Sequence, residues 1–366
     1  MNKLRYIDEK AIENIATGAA FLGTGGGGDP HIGKLMALSA IKAHGPVKLI
    51  EPHEVDKEGV YLPSAMMGAP SVLIEKFPAG DEFVRTFDRL SNFLEIDQVA
   101  GTFPMEAGGV NSMIPIAVAA STGLPLVDAD GMGRAFPELQ MTTFHLGGST
   151  VSPMTLTDEK GNIAIFETIT NLWAEKIARS VTSEMGGSAL VSLYPSTGQD
   201  IINHGIPNIV TRSEKIGEII NSGNDQKETL KKLLEAIDGY ELFVGKIIDV
   251  ERTVRAGFNF GEAKLEGLED YSGDQMSVHL QNENLLATKN GEVVAMTPDL
   301  IIMIDMETLQ PATTESLSYG KRVRVLGMPC DKRWRTELGI ETAGPRYFGY
   351  DYDYVPIEEL VKGGRN

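Results

Sequence analysis

Four consecutive glycines, Gly25 to Gly28 within FLGTGGGGDPHIGK (Phe21 to Lys34), constrain this chain more than any other feature. Lacking Cβ atoms, such a run reaches backbone conformations closed to other residues and lets a ligand approach the main chain. It also loses chain entropy at every position, which a plain helix-to-helix connection does not require. The flanks say what it joins. From Ile7 to Leu22, residues Ile12, Ile15, Ala16, Ala19 and Ala20 recur at helical spacing, and Gly23 ends the pattern. Asp29 reads as an N-cap with Pro30 at the first helical position, opening a second helix through His31, Leu35, Met36 and Ile41. The glycines thus link two helices, and their N–H groups lie beside a helix N-terminus, where a small anion or a carbonyl oxygen docks.

That context argues against nucleotides. Gly23, Gly25 and Gly28 match the dinucleotide fingerprint in spacing, but a helix precedes them where the motif needs a strand. Gly28, Gly33 and Lys34 satisfy most of a P-loop, yet Leu35 stands where Ser or Thr would hold Mg²⁺. No nucleotide cofactor is expected.

At 366 residues the chain exceeds one ordinary core, since roughly 150 residues make a domain. With 42% apolar and 23% charged residues it reads as globular. The formal charge of −18 repels phosphate backbones and anionic membrane surfaces, so neither nucleic acid nor membrane is an expected partner. The single cysteine, Cys330, rules out an intrachain disulfide and a cysteine-built zinc cluster. The early charges of MNKLRYIDEK do not read as a signal peptide, and a cytoplasmic location is expected.

Short apolar runs at Val47 to Ile50, Val60 to Met67, Val99 to Phe103 and Leu124 to Val127 alternate with helical patterns at Asp81 to Leu94 and Val110 to Ser121. This predicts an N-terminal α/β layered domain over 1–166, with β-like segments at Val151 to Thr157 and Ile163 to Thr168 around the turn Asp158 to Asn162. The remainder, 167–366, is read as a second domain. Its first part, about 167–238, is helical with a strand at Ala189 to Tyr194, and the part from about 239 to 355 is almost all short strands, predicting a barrel or sandwich.

Two further segments carry candidate chemistry. In GTFPMEAGGVNSMIP, Gly101 to Pro115, a strand ends at Phe103, so Glu106 and Asn111 fall where the chain enters a helix, the usual ligand position in α/β sheets. Glu106 is the first acid/base candidate. In GLPLVDADGMGRAFPELQMTTFHLGG, Gly123 to Gly148, a buried strand delivers Asp128 and Asp130, followed by Arg134 and His145. The two aspartates share a face on an extended chain and can bind a cation or divide acid and base roles, while Arg134 can pair one of them or a substrate carboxylate. A divalent or transition metal, if present, would take Asp128, Asp130 and His145. None of the six histidines forms H-E-x-x-H, no G-x-S-x-G elbow occurs, and Cys330 lacks a nucleophile signature. Arg333 and Trp334 are candidates to pack over the domain junction.

The strings GTGGGGDP, GTFPMEAGGVNS, DADGMGRAFPELQM, QNENLLA, PDLI and FGYDYDYVP, in this order over nearly the whole chain, resemble the S-methyl thiohydantoin desulfurase-like family. The resemblance implies an N-terminal α/β domain, a C-terminal β-rich domain, and chemistry on sulfur-containing hydantoins in which oxygen replaces a C2 sulfur substituent. The expected mechanism is hydrolytic substitution at an amidine-like carbon. Glu106 or Asp128 would deprotonate water, glycine N–H groups would stabilise developing charge, and His145 or Asp130 would protonate the leaving thiol. Gly25, Gly26, Gly27, Gly28, Asp29, Asn111 and Arg134 would bind the substrate. Relatives sit beside hydantoinase and oxoprolinase subunits, so the alternative is a non-catalytic subunit of such an enzyme. A small-molecule substrate is the expected partner, and assembly into a homo-oligomer is compatible with either reading.

Overall fold

The computed structural model describes residues 5–68, 72, 81–255 and 257–363. Helix α1 (Glu9–Leu22) starts on Asp8, whose carboxylate accepts from the Ala11 N–H, and buries Ile12, Ile15, Ala16 and Ala19. Gly23 ends it, and Thr24 then takes a left-handed conformation (φ 51°). Helix α2 (Pro30–His44) begins as its sequence predicts: the Asp29 carboxylate accepts from the His31 N–H, with Pro30 at the first position. Helices α3 (Glu82–Phe93) and α4 (Met113–Thr122) follow, and α4 is apolar on all sides because α2, α3 and strands enclose it.

Two sheets carry this half. Strands β1 (Arg5–Ile7), β2 (Val47–Ile50) and β5 (Leu126–Val127) form one, with β2 and β5 parallel. The other has the order β4-β9-β7-β8 and is antiparallel, built from β4 (Ser64–Gly68), β7 (Met154–Thr157), β8 (Ile163–Phe166) and β9 (Ser188–Ser192). Strand β9 thereby joins a layer begun before residue 167. Short pairs link β3 (Val60–Tyr61) to β10 (Ser196–Thr197) and β6 (Ala129–Asp130) to β11 (Ile206–Pro207). The expected strand at Val99 to Phe103 is only an extended connection, bonded to Tyr61 on one side and Leu126 on the other. Helices α5 (Thr143–Leu146), α6 (Asn171–Glu184), α7 (Gly198–His204), α8 (Ile209–Ser222) and α9 (Gln226–Ile237) complete the half, with α8 lying along α1.

From residue 240 the chain is mainly β, in one seven-stranded antiparallel sheet of order β16-β15-β14-β13-β12-β18-β17. Its strands are β12 (Tyr240–Arg255), β13 (Phe258–Gly267), β14 (Gln275–Gln281), β15 (Glu283–Lys289), β16 (Glu292–Met296), β17 (Leu300–Asp305) and β18 (Arg322–Met328). It curls until β15 and β16 touch β17, a half-barrel that agrees with the barrel-like expectation for this part. Strand β17 shows why its sequence is a continuous apolar run. Leu300, Ile302 and Ile304 face the core of the α/β half, while Ile301 and Met303 face the core inside the curl.

Arg134 fastens the two halves. Fully buried, it donates from Nε to Ala135 O, from Nη1 to Pro298 O and Asp299 O, and from Nη2 to Thr24 Oγ1 and Asn284 O. Its guanidinium stacks on Phe136, which packs edge-on against Trp334, and Trp334 donates from Nε1 to Met132 O. Lysine offers a point charge where this fork meets five fixed oxygens. Arg134→Lys is expected to lower the unfolding free energy by about 3–5 kcal/mol, read from urea denaturation, because buried carbonyls lose their donors. A change under about 1 kcal/mol would show that the junction does not rest on this residue.

Candidate active site

Where the glycine loop, the 105–111 turn and the start of β15 meet, a cavity of about 70 Å³ opens. At about 10–15 Å³ of such volume per water, it accepts roughly five to seven water-sized groups, the scale of a small ring. Its wall includes Gly27 and Gly28, Met66 and Met67 of β4, Met105, Glu106 and Asn111 of the turn, Phe136 to Leu139, Arg179 of α6, and Asn282 and Glu283 from the β-rich half.

The two glycine turns fit backbone to backbone. A Cβ on Gly27 would lie 2.4 Å from the Gly108 Cα, and Gly27 also has φ +74°. Gly27 O accepts from Val110 N at 2.8 Å, while Gly25 O accepts from Thr314 N at 2.8 Å, so the loop is held on both sides. Among the described residues the N–H groups of Gly27 and Gly28 have no acceptor. Gly26 meets a different neighbour: a Cβ there would sit 2.0 Å from Glu283 Oε1.

Asn111 positions Glu106. Its Oδ1 accepts from Met66 N at 2.7 Å, and its Nδ2 donates to Met66 O at 3.2 Å and to Glu106 Oε1 at 2.5 Å. Burial pushes the Glu106 carboxyl up to about 7, against the pull of Asn111, the Phe136 N–H and the Arg134 charge. Glu283 is raised well above the carboxylate range, first by burial and then by Glu106, with Arg134 and Arg179 pulling the other way. Two buried carboxyls in one cavity do not both ionise near neutrality, so they titrate as a pair. Arg134, pushed down to about 10 by burial, supplies the nearby positive charge.

Other expected site residues lie elsewhere. Asp128 is buried with its carboxylate at the N-terminus of α8, accepting from Val210 N, Thr211 N and the Thr211 hydroxyl. Asp130 accepts from Gly133 N through both oxygens, and burial raises it well above the usual range. His145 is half-buried with Nδ1 at 2.9 Å from Asn171 Nδ2, and burial lowers its pKa. None of the three lines the cavity. Nor are they gathered as one ligand set: among the described residues no three His, Cys, Asp or Glu are grouped to hold a metal. Asp29 caps α2, and Arg134 has all five N–H groups on protein oxygens, leaving none for a substrate carboxylate. Cys330 is buried and its thiol is pushed far up. The sequence reading missed Glu283, Asn282 and Arg179. The available signal was the polar triplet Asn282-Glu283-Asn284 opening an otherwise apolar strand.

The raised Glu106 has a consequence for stability. Its protonated form favours the fold below the unfolded value of 4.5, and that contribution is lost as pH rises to about 7. Relative to the parent, Glu106→Gln should therefore gain about 3 kcal/mol of stability between pH 4 and pH 8, measured by denaturant melts at both values. A constant difference would refute the buried carboxyl.

No curated protein matches the chain. The crystal structure of a Chromobacterium violaceum protein from the Northeast Structural Genomics Consortium is similar, with 21% identity, coverage of 96% of this chain and 100% of that one, and a TM-score of 0.81. At this identity the likeness shows the shared fold. Among the described residues no helix is long and apolar enough to cross a membrane. The S-Me-THD-like N-terminal domain family matches residues 10–168, and the S-Me-THD-like C-terminal domain family matches residues 169–357. The chain therefore belongs to the S-Me-THD-like family, the S-methyl thiohydantoin desulfurase-like group that its sequence strings resemble.

Proposed function

We propose that this protein is a hydrolase that replaces the C2 sulfur substituent of a small hydantoin-like ring by oxygen. One observation carries the reading: Glu106, pushed up to about 7, lies in a small cavity lined by Gly27 and Gly28, whose N–H groups have no acceptor among the described residues. A carboxylate with that pKa is a strong enough base to take a proton from water and is still ionised near neutrality. Free amides at the wall suit the charge that develops when water adds to an amidine-like carbon. The methionine-rich wall, with Met66, Met67, Met105 and Met132, suits a thioether-bearing ring.

Purified protein should release methanethiol from an S-methyl thiohydantoin in preference to hydrolysing the parent hydantoin, followed by thiol titration and NMR of the ring. Glu106→Gln should lower kcat by about 10² or more. The kcat/KM of the parent should rise with pH through about 7, as Glu106 loses its proton. Wild-type turnover in the variant would remove Glu106 from the chemistry. An isolated chain inert on hydantoins, thiohydantoins and their S-methyl forms would overturn the enzymatic reading in favour of a subunit role.

A further inference from the structure

Hydrolysis of a C2–S bond needs a proton donor as well as a base, and neither His145 nor Asp130 lines the cavity. We infer that Glu283, delivered by the β-rich half into the cavity of Glu106, is the catalytic acid of the site; the inference rests on the hydrolytic reading above.

Three observations carry it. The Glu283 carboxyl is buried at the cavity wall, and among the described residues its Oε2 has no hydrogen-bond partner. Buried polar atoms left unpaired are uncommon and costly, and one that borders a cavity is satisfied by what enters it. Second, among the described residues Glu283 is not half of a structural ion pair. Two cations are near it: the five N–H groups of Arg134 are directed to Ala135, Pro298, Asp299, Thr24 and Asn284, and Arg179 donates to Glu175, Gly257 O and Pro137 O. Third, the glycine loop is shaped around this side chain, since any Cβ at Gly26 would collide with Oε1.

The charged groups facing Glu283 are Glu106, Arg134 and Arg179. Glu106 ionises first, and its charge together with burial keeps Glu283 protonated, so the environment separates base from acid. The steps balance. As the water oxygen bonds to C2, Glu106 takes one water proton, the C=N electron pair moves to the ring nitrogen, and Glu283 protonates that nitrogen. As the C2–S bond breaks, Glu106 returns its proton to sulfur, while Glu283 takes the hydroxyl proton and the carbonyl forms. Methanethiol leaves, and both carboxyls regain their starting states without an oxidant or reductant.

The test is the pH–rate profile of full-length parent, Glu106→Gln and Glu283→Gln on an S-methyl thiohydantoin. The parent should give a bell, rising to about 7 and falling where Glu283 ionises. Glu283→Gln should lose about 10²-fold in kcat with KM little changed, keep the rising limb and lose the falling one. A purely structural residue would leave both limbs in place. Active parent with Glu283→Gln unchanged in kcat and profile overturns the role of Glu283 alone, whereas an inert parent overturns the hydrolytic reading and this with it. If the variant does not fold, carbon-13 NMR of glutamate carboxyls in the parent decides. A buried carboxyl still protonated at pH 7.5 supports the acid, and full ionisation of every glutamate there overturns it.

Discussion

A guanidinium buried without a carboxylate partner organises this molecule. Arg134 sends its five N–H groups to oxygens of the α/β half, at Thr24 and Ala135, and of the β-rich half, at Asn284, Pro298 and Asp299. Removing a full charge from water costs several kcal/mol, and dipoles offset that cost only when all donors are matched at once. Matching them fixes Thr24, which leads into the glycine run, relative to Asn284, which follows Glu283. The residue that joins the halves therefore also sets the distance between the loop and the carboxyl that it accommodates.

The same arrangement governs the electrostatics of the cavity. If Arg134 paired with Glu106 or Glu283 directly, that carboxyl would be held low and ionised. Because its donors are committed to neutral oxygens, it acts on both carboxyls only through space. Burial prevails, and both are raised. Asn111 adds a directional hydrogen bond to Glu106 while being tied to both the N–H and the C=O of Met66, so the carboxyl that ionises first is also the one held in place.

Much of the fold was legible because local signals agreed with packing. The Asp29-Pro30 cap, the glycine break after α1, and the strands beyond residue 240 separated by turns all appear near the expected positions. The site was legible in part, for a physical reason. Glu106 and Asn111 lie beside glycines on one turn, where spacing alone places them together. Asp128 and Asp130 resemble a site in sequence, yet their carboxylates serve backbone N–H groups at α8 and at Gly133. Sequence spacing reveals that two acids share a strand end, but not whether helix amides reach them first. Glu283 escaped because its partner in the cavity is far away in the chain, and only the curl of the sheet brings β15 to the glycine loop. Arg134 was read as a partner for an aspartate or a substrate carboxylate, because its actual partners, four carbonyl oxygens and the Thr24 hydroxyl, leave little trace in side-chain identity.

Dividing the site between two halves has an energetic logic. A carboxyl on the surface of either half alone would be hydrated and would titrate near 4, useless as an acid at neutral pH. Docking the halves removes that water and raises Glu106 and Glu283, at a cost to stability that grows with pH. The docked state is maintained because Arg134, Trp334 and the core against β17 favour it independently of the carboxyls. Stabilisation from residues outside the cavity thus offsets the cost of the two buried carboxyls inside it. Four glycines complete the arrangement: with any side chain at Gly26, Glu283 would be displaced from the wall, and the acid would lose the burial that keeps it protonated.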